Sequence, residues 1–87
     1  VVRELVGHGI GTKLHEDPQV PNYGSKGQGI KIEDGLCLAI EPMINLGSSS
    51  VYTKNDNWTV CSVDGLASAH FEHSVALINN KVRILTN

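Results

Sequence analysis

A continuous apolar run over residues 36–40 (LCLAI) is the clearest hydrophobic pattern in the chain, and it ends at Glu41-Pro42. Five apolar residues are enough for a buried strand and too few for a helix. Pro42 has no backbone N–H and biases Glu41 toward extended geometry, so the strand should stop there. The pattern therefore predicts a buried strand with a glutamate at its carboxyl end.

Shorter apolar segments separated by turn residues predict further strands. We expect four of them, over residues 51–53, 58–63, 74–78 and 82–86. The turns between them are expected at residues 54–57, at Asp64-Gly65 and at Asn79-Asn80. The chain should be dominated by strands.

The remaining segments are polar or begin without a clear pattern. Residues 13–29 are rich in proline and glycine, which predicts a long surface loop. Residues 1–6 predict the last turn of a helix or the entry to a strand whose beginning lies elsewhere. Turn contexts are expected for all four aspartates, namely Asp17, Asp34, Asp56 and Asp64.

Composition narrows the class of protein. The chain has 87 residues, a net charge of −2 and an apolar fraction of 40%, which fits one small domain or part of a larger one. The scattered charges argue against nucleic-acid binding and against a basic membrane patch, and no apolar run is long enough to cross a membrane. Cys37 and Cys61 lack zinc or redox spacing, so we interpret them as free thiols of a cytoplasmic protein, with a disulfide or a thiolate ligand as the alternative.

Four residues are candidates for metal chemistry: His8, His15, Glu41 and Glu72. Imidazole and carboxylate groups are ligands that borderline and hard divalent metals accept. A two-metal hydrolytic site would use His8, Glu41 and Glu72 as ligands and a second histidine, His15, to donate a hydrogen bond to the oxyanion. Two glutamates supply too little carboxylate for two cations, so we expect the remaining ligands upstream of Val1.

Each candidate also has a plain structural interpretation. His8 could fill a strand position between glycines, and Glu41 and Glu72 could be solvated residues at strand ends. Trp58 could belong to the core. The metal interpretation rests on their joint occurrence, because charged residues next to apolar strands are costly unless they are paired or bind a ligand.

Several short motifs, in order along nearly the whole chain, resemble type I methionine aminopeptidases. They are Gly-His-Gly-Ile-Gly at residues 7–11, His15-Glu16, Pro-Gln-Val-Pro-Asn-Tyr at 18–23, Ile-Glu-Pro-Met-Ile-Asn at 40–45, Asn-Trp-Thr-Val at 57–60 and Phe-Glu-His at 71–73. The set is specific, although some of its members recur across the wider pita-bread family. The resemblance implies an α+β fold in which residues 1–87 form the C-terminal half of a pita-bread catalytic domain, with a curved, mainly antiparallel sheet and most covering helices absent.

The resemblance also implies roles for the candidate residues. His8, Glu41 and Glu72 match metal ligands, and Glu41 is also the proposed general base. His15 matches a catalytic, substrate-contacting histidine, and Trp58 matches an aromatic residue near the methionine pocket. The family's two aspartate ligands lie before the first motif. The chain departs from the usual family residues at Leu14, Ala39, Asn57 and His70.

The function implied is hydrolysis of the N-terminal methionine of nascent proteins and peptides by a metal-bridged water, with two divalent ions (Co, Mn, Fe or Zn). The enzyme would be a cytoplasmic metalloprotease, a monomer when complete, without a nucleic-acid or membrane partner. A prolidase or aminopeptidase P type of pita-bread hydrolase is one alternative, disfavoured by the short spacing from His8 to His15. A non-catalytic binding module on the same fold is another. The 87 residues alone are expected to be inactive.

Overall fold

The computed structural model describes residues 1–86, and these residues form nine strands and no helix. The strands are β1 (Gly7–Gly9), β2 (Glu16–Val20), β3 (Cys37–Ile40), β4 (Met43–Asn45), β5 (Val51–Thr53), β6 (Val60–Ser62), β7 (Ser68–His70), β8 (His73–Ile78) and β9 (Lys81–Ile84). The prediction of a strand-dominated chain is confirmed.

A five-stranded antiparallel sheet in the order β2-β1-β3-β8-β9 forms the body of the molecule. The apolar run predicted as a buried strand is β3, at the centre of this sheet, and its Leu38 and Ala39 are buried. Ala76 of β8 and Val2, outside the strands, complete the buried apolar core.

Two short ribbons extend beyond the central strands. β4 pairs with β7, and β5 pairs with β6, both antiparallel. The Phe71 backbone N–H donates to the Pro42 carbonyl at 3.3 Å, which joins the β4–β7 ribbon to the segments that follow β3 and precede β8. The ribbon therefore adjoins the end of β3 and the start of β8.

The predicted hairpin over the last strands is confirmed. β8 and β9 pair from Val75↔Ile84 to Ile78↔Lys81, and Asn79 and Asn80 turn between them with φ of 52° and 62°. Asparagine tolerates this left-handed region better than most residues, so the sequence suits the turn.

Two expectations for the N-terminal part are wrong. Residues 13–29 are not one loop, because β2 lies within them and pairs with β1. Asp17 consequently lies in a strand and not in a turn. Pro18 argued against a strand because it has no backbone N–H. However, β2 is an edge strand of the sheet, where such a residue is tolerated. Residues 1–6 form neither helix nor strand, although the Val2 N–H donates to the Met43 carbonyl at 2.9 Å.

Among residues 1–86 there is no helix long and apolar enough to cross a membrane.

Candidate metal centre

The register between β3 and β8 brings the two glutamates together. Ala39 pairs with Ser74 and Ile40 pairs with His73. One step further, the same antiparallel register sets Glu41, just after β3, opposite Glu72, just before β8. Side chains two positions apart share a face, so both glutamates lie on the face of Ala39 and Ser74.

His8 reaches the same face from the neighbouring strand. It pairs directly with Ala39, whose small side chain is fully buried. Gly7 and Gly9 flank His8 because the chain comes very close to its neighbours there. A Cβ at Gly7 would collide with the Ala39 carbonyl, and one at Gly9 with the Asp17 carbonyl. The glycines allow β1 to fit between β2 and β3, which places the imidazole beside the glutamates.

The three side chains form a compact group of possible ligands. His8, Glu41 and Glu72 each offer one ligand atom, and these atoms lie within 4.8 Å of one another. His8 Nε2 is 3.1 Å from Glu41 Oε2, and the two side chains are only 13% and 15% exposed. His8 Nδ1 lies 3.0 Å from the Gly9 carbonyl; a proton on Nδ1 would donate there and leave the Nε2 lone pair facing the carboxylates.

The donor set fits a divalent cation. One imidazole and two carboxylates suit zinc, manganese, iron or cobalt, and within residues 1–86 none of the three groups has a salt-bridge partner outside the cluster. Without a cation, two carboxylates beside one imidazole leave an excess of negative charge on this face. The geometry therefore supports a metal role for the three residues.

His15 is held beside this group by the loop between β1 and β2. Its ring centroid is 4.1 Å from that of His8, with a tilt of 48°. The Glu16 carboxylate accepts hydrogen bonds from the Lys13 backbone N–H at 2.8 Å and the Thr12 hydroxyl at 3.2 Å, which closes the loop. His15 is exposed, so its ring is free to contact a ligand.

Two cavities meet at the cluster. One, of about 690 Å³, is lined by His8 and His15. The other, of about 670 Å³, is lined by Glu41, Trp58 and residues of the β4–β7 and β5–β6 ribbons. Because His8 and Glu41 are in contact, the group lies between the two cavities.

The structure adds Asn22 and Met43 to the residues around the site, and it shows where His70, one of the departures from the usual family residues, lies. The Asn22 side chain lies 3.4 Å from the Leu5 carbonyl and 3.5 Å from the Glu41 carbonyl, so it links the N-terminal segment to the backbone of Glu41. His70 and Met43, paired across the β4–β7 ribbon, both line the Trp58 cavity. The Pro-Asn-Tyr motif was the only sequence feature that pointed to Asn22.

Of the five predicted site residues, the structure brings four together and places the fifth across a cavity. His8, Glu41 and Glu72 form the group, the His15 ring lies beside the His8 ring, and Trp58 shares a cavity with Glu41. Trp58 is 87% exposed, so its interpretation as a core residue is wrong. Cys37 and Cys61 are free cysteines, and neither belongs to the group. The roles of ligand, base and substrate contact stay predictions.

Comparison with known proteins agrees with the motifs. The model of metallopeptidase family M24 matches residues 1–79. The chain is 57% identical to a methionine aminopeptidase of Clostridium perfringens over 86 residues, which is 99% of this chain and 34% of that protein. It is 56% identical to methionine aminopeptidase 1 of Bacillus subtilis, again over 86 residues, with 99% and 35% of the two chains covered.

The fold matches as well. The crystal structure of a methionine aminopeptidase from Thermotoga maritima superposes with a TM-score of 0.93 at 50% identity, covering 99% of this chain and 34% of the other. The expected pita-bread architecture, present here as an antiparallel sheet without helices in residues 1–86, is confirmed. The chain spans about a third of the length of the relatives it matches.

Proposed function

Since the chain belongs to metallopeptidase family M24, we propose that it contributes the metal-binding and substrate-facing sheet of a methionine aminopeptidase. The observation that carries the proposal is the group formed by His8, Glu41 and Glu72, between two cavities. The matched relatives named methionine aminopeptidase support the choice of substrate. The substrate would be the N-terminus of a nascent protein or peptide. The enzyme would be a monomer and would act in the cytoplasm.

His8, Glu41 and Glu72 would bind two divalent metal ions. We propose that these ions are cobalt, manganese, iron or zinc. Bound there, the metal would supply a water of depressed pKa as the nucleophile. Further carboxylates from outside these residues would complete the ligand set.

The protein side chains would divide the other tasks. The Glu41 carboxylate, at the junction of the two cavities, would accept the proton of the attacking water. The His15 ring, whose centroid is 4.1 Å from that of His8, would donate a hydrogen bond to the oxygen of the scissile amide as its charge develops. The methionine side chain would lie in the cavity lined by Trp58. The rest of the bound peptide would extend along the cavity lined by His8 and His15.

The test uses the full-length protein with a panel of peptides. Metal content is measured after purification, and cleavage is measured for Met-Ala and Ala-Pro peptides with and without added metal. Metal-dependent cleavage of the Met-Ala peptide alone is the expected result. Cleavage of Ala-Pro would favour a prolidase or aminopeptidase P type of enzyme. A full-length protein that holds no metal and cleaves neither peptide would favour a non-catalytic module and overturn the proposal.

A further inference from the structure

Trp58 has an unusual environment for the only tryptophan in the chain. Its side chain is 87% exposed, yet it lines the same cavity as Glu41. A large aromatic ring with so little packing has many accessible orientations. To form one wall of a selective cavity, it needs to be held by its own backbone.

The turn that carries Trp58 is tightly hydrogen bonded. The Lys54 N–H donates to the Thr59 carbonyl at 2.8 Å, and the Asn57 N–H donates to the Lys54 carbonyl at 3.0 Å. Asn57, directly before Trp58, has a φ of 58°, in the left-handed region. The chain thus reverses direction immediately before the tryptophan.

One carboxylate holds the far side of this turn. Asp56 Oδ1 accepts from the backbone N–H of Trp58 at 2.9 Å and from that of Thr59 at 2.8 Å, while Oδ2 accepts from the Thr59 hydroxyl at 2.6 Å. These bonds, the Thr59 hydroxyl first, lower the pKa of Asp56 below its ordinary value. The ionised carboxylate therefore fixes the backbone from which the tryptophan projects.

We propose that Asp56 is a positioning residue: through its hydrogen bonds to Trp58 and Thr59 it fixes the indole over the cavity beside Glu41, and so sets the affinity for the first side chain of the substrate. This inference rests on the proposed aminopeptidase function for its link to substrate. The placement of the indole can be measured without any substrate. Asp56 lies outside the residues that line that cavity, so its effect must pass through Trp58 or Thr59, which both line it. The position of the indole identifies the part that passes through Trp58.

The chain offers a matched control in Asp64. This exposed carboxylate also closes a turn, accepting from the Ser48 N–H at 2.7 Å and the Leu66 N–H at 3.1 Å, and its pKa is likewise lowered by these bonds. It does not line the Trp58 cavity. Asp64→Ala therefore removes a comparable set of hydrogen bonds in another turn and leaves the hydrogen bonds that Asp56 accepts from Trp58 and Thr59 in place.

The experiment compares Asp56→Ala, Asp56→Asn and Asp64→Ala in the full-length protein. The protein carries 5-fluorotryptophan, and the fluorine NMR signal of Trp58 is assigned by its loss in Trp58→Phe. KM and kcat are measured for peptides that begin with methionine and for matched peptides that begin with alanine.

In Asp56→Ala we expect the Trp58 fluorine signal to move toward the free-indole position. KM for methionine peptides should rise about two- to tenfold, because one side chain of the cavity is no longer ordered before the substrate binds. We expect little change in kcat. Asp56→Asn should restore most of both values, because its amide oxygen can still accept from the two backbone N–H groups. Asp64→Ala should change neither.

An unchanged Trp58 signal in Asp56→Ala, the same displacement in Asp64→Ala, or a loss confined to kcat would each overturn the inference. Failure of the proposed function would be distinct: the unsubstituted protein would then cleave no methionine peptide, while the fluorine signal would still report whether Asp56 orders the indole.

Discussion

The two histidines of this site differ in their exposure to solvent and in their contacts. His8 is 13% exposed, with one ring nitrogen against a backbone carbonyl and the other 3.1 Å from a carboxylate. His15 is exposed, and its ring lies tilted beside that of His8. A fixed, partly buried imidazole suits a metal ligand, and an exposed one suits a substrate contact. Substitution of the two histidines should therefore have different consequences.

His8→Ala in the full-length protein should lower metal affinity by more than about 100-fold, since loss of even an outer hydrogen-bond partner costs about 10- to 100-fold. His15→Ala should leave metal affinity unchanged and lower kcat by about 10²- to 10³-fold, as for removal of one oxyanion donor. Titration calorimetry and peptide kinetics separate the two effects. Loss of metal in His15→Ala would show that its assigned role is wrong.

Acid should loosen the turns closed by Asp56 and Asp64 only at low pH. The pKa of each carboxyl is lowered in the folded protein, for Asp56 chiefly by the Thr59 hydroxyl and for Asp64 by the Ser48 N–H. Their stabilising contribution is therefore present above the unfolded pKa of about 3.9 and is lost as the pH falls through the lowered folded value. Both groups are exposed to solvent, so the effect on global stability should be small.

The measurement is amide NMR of the full-length protein between pH 6 and about pH 2, following the Trp58, Thr59 and Leu66 N–H groups. Amide shifts that titrate at or above the ordinary aspartate value would contradict the expectation.

The strands show what sequence patterns can and cannot locate. The run at residues 36–40 predicted β3, and Asn79-Asn80 predicted the β8–β9 turn, because both depend on local composition. β2 was missed, since Pro18 hides a strand unless its edge position is known. The contact of His8 with Glu41 depends on register between strands far apart in sequence, which no local pattern encodes. The motifs identified the ligand candidates, and the register explains why they converge.

Gly9→Ala tests whether close packing of β1 places His8. Its Cβ would collide with the Asp17 carbonyl, so β1 and β2 would have to separate. We expect a loss of about 1–3 kcal/mol in the free energy of unfolding, as for an overpacked site, together with weaker metal binding. Urea unfolding and metal titration of the full-length protein measure the two effects.

Gly24→Ala is the matched control for this substitution. An added Cβ there meets no atom within 4 Å, although φ is +153°, so only a backbone cost is expected and metal affinity should stay unchanged. Equal losses of metal affinity in the two variants would contradict a specific role for the close approach at Gly9.

The molecule as a whole exposes more surface than a compact domain of its size. Its accessible surface is 6769 Å², against about 5,000 Å² expected for a folded monomer of this mass. Its radius of gyration is 14.5 Å, against about 12 Å for a compact chain of this length. Among the described residues, only Val2, Leu38, Ala39 and Ala76 are buried apolar residues. The excess surface is comparable to a standard protein interface, as expected for a sheet that other segments cover.

Produced alone, the 87 residues should therefore have little stability and no aminopeptidase activity. A core of four buried apolar side chains offsets little of the entropy lost on folding, and the ligand group holds only two carboxylates. We expect a shallow, weakly cooperative urea transition, dye binding to the exposed apolar surface and no cleavage of Met-Ala peptides. The full-length protein, measured in parallel, should unfold cooperatively and cleave them. A cooperative transition of the isolated 87 residues, with turnover equal to that of the full-length protein, would show that this sheet forms a complete site without further carboxylates.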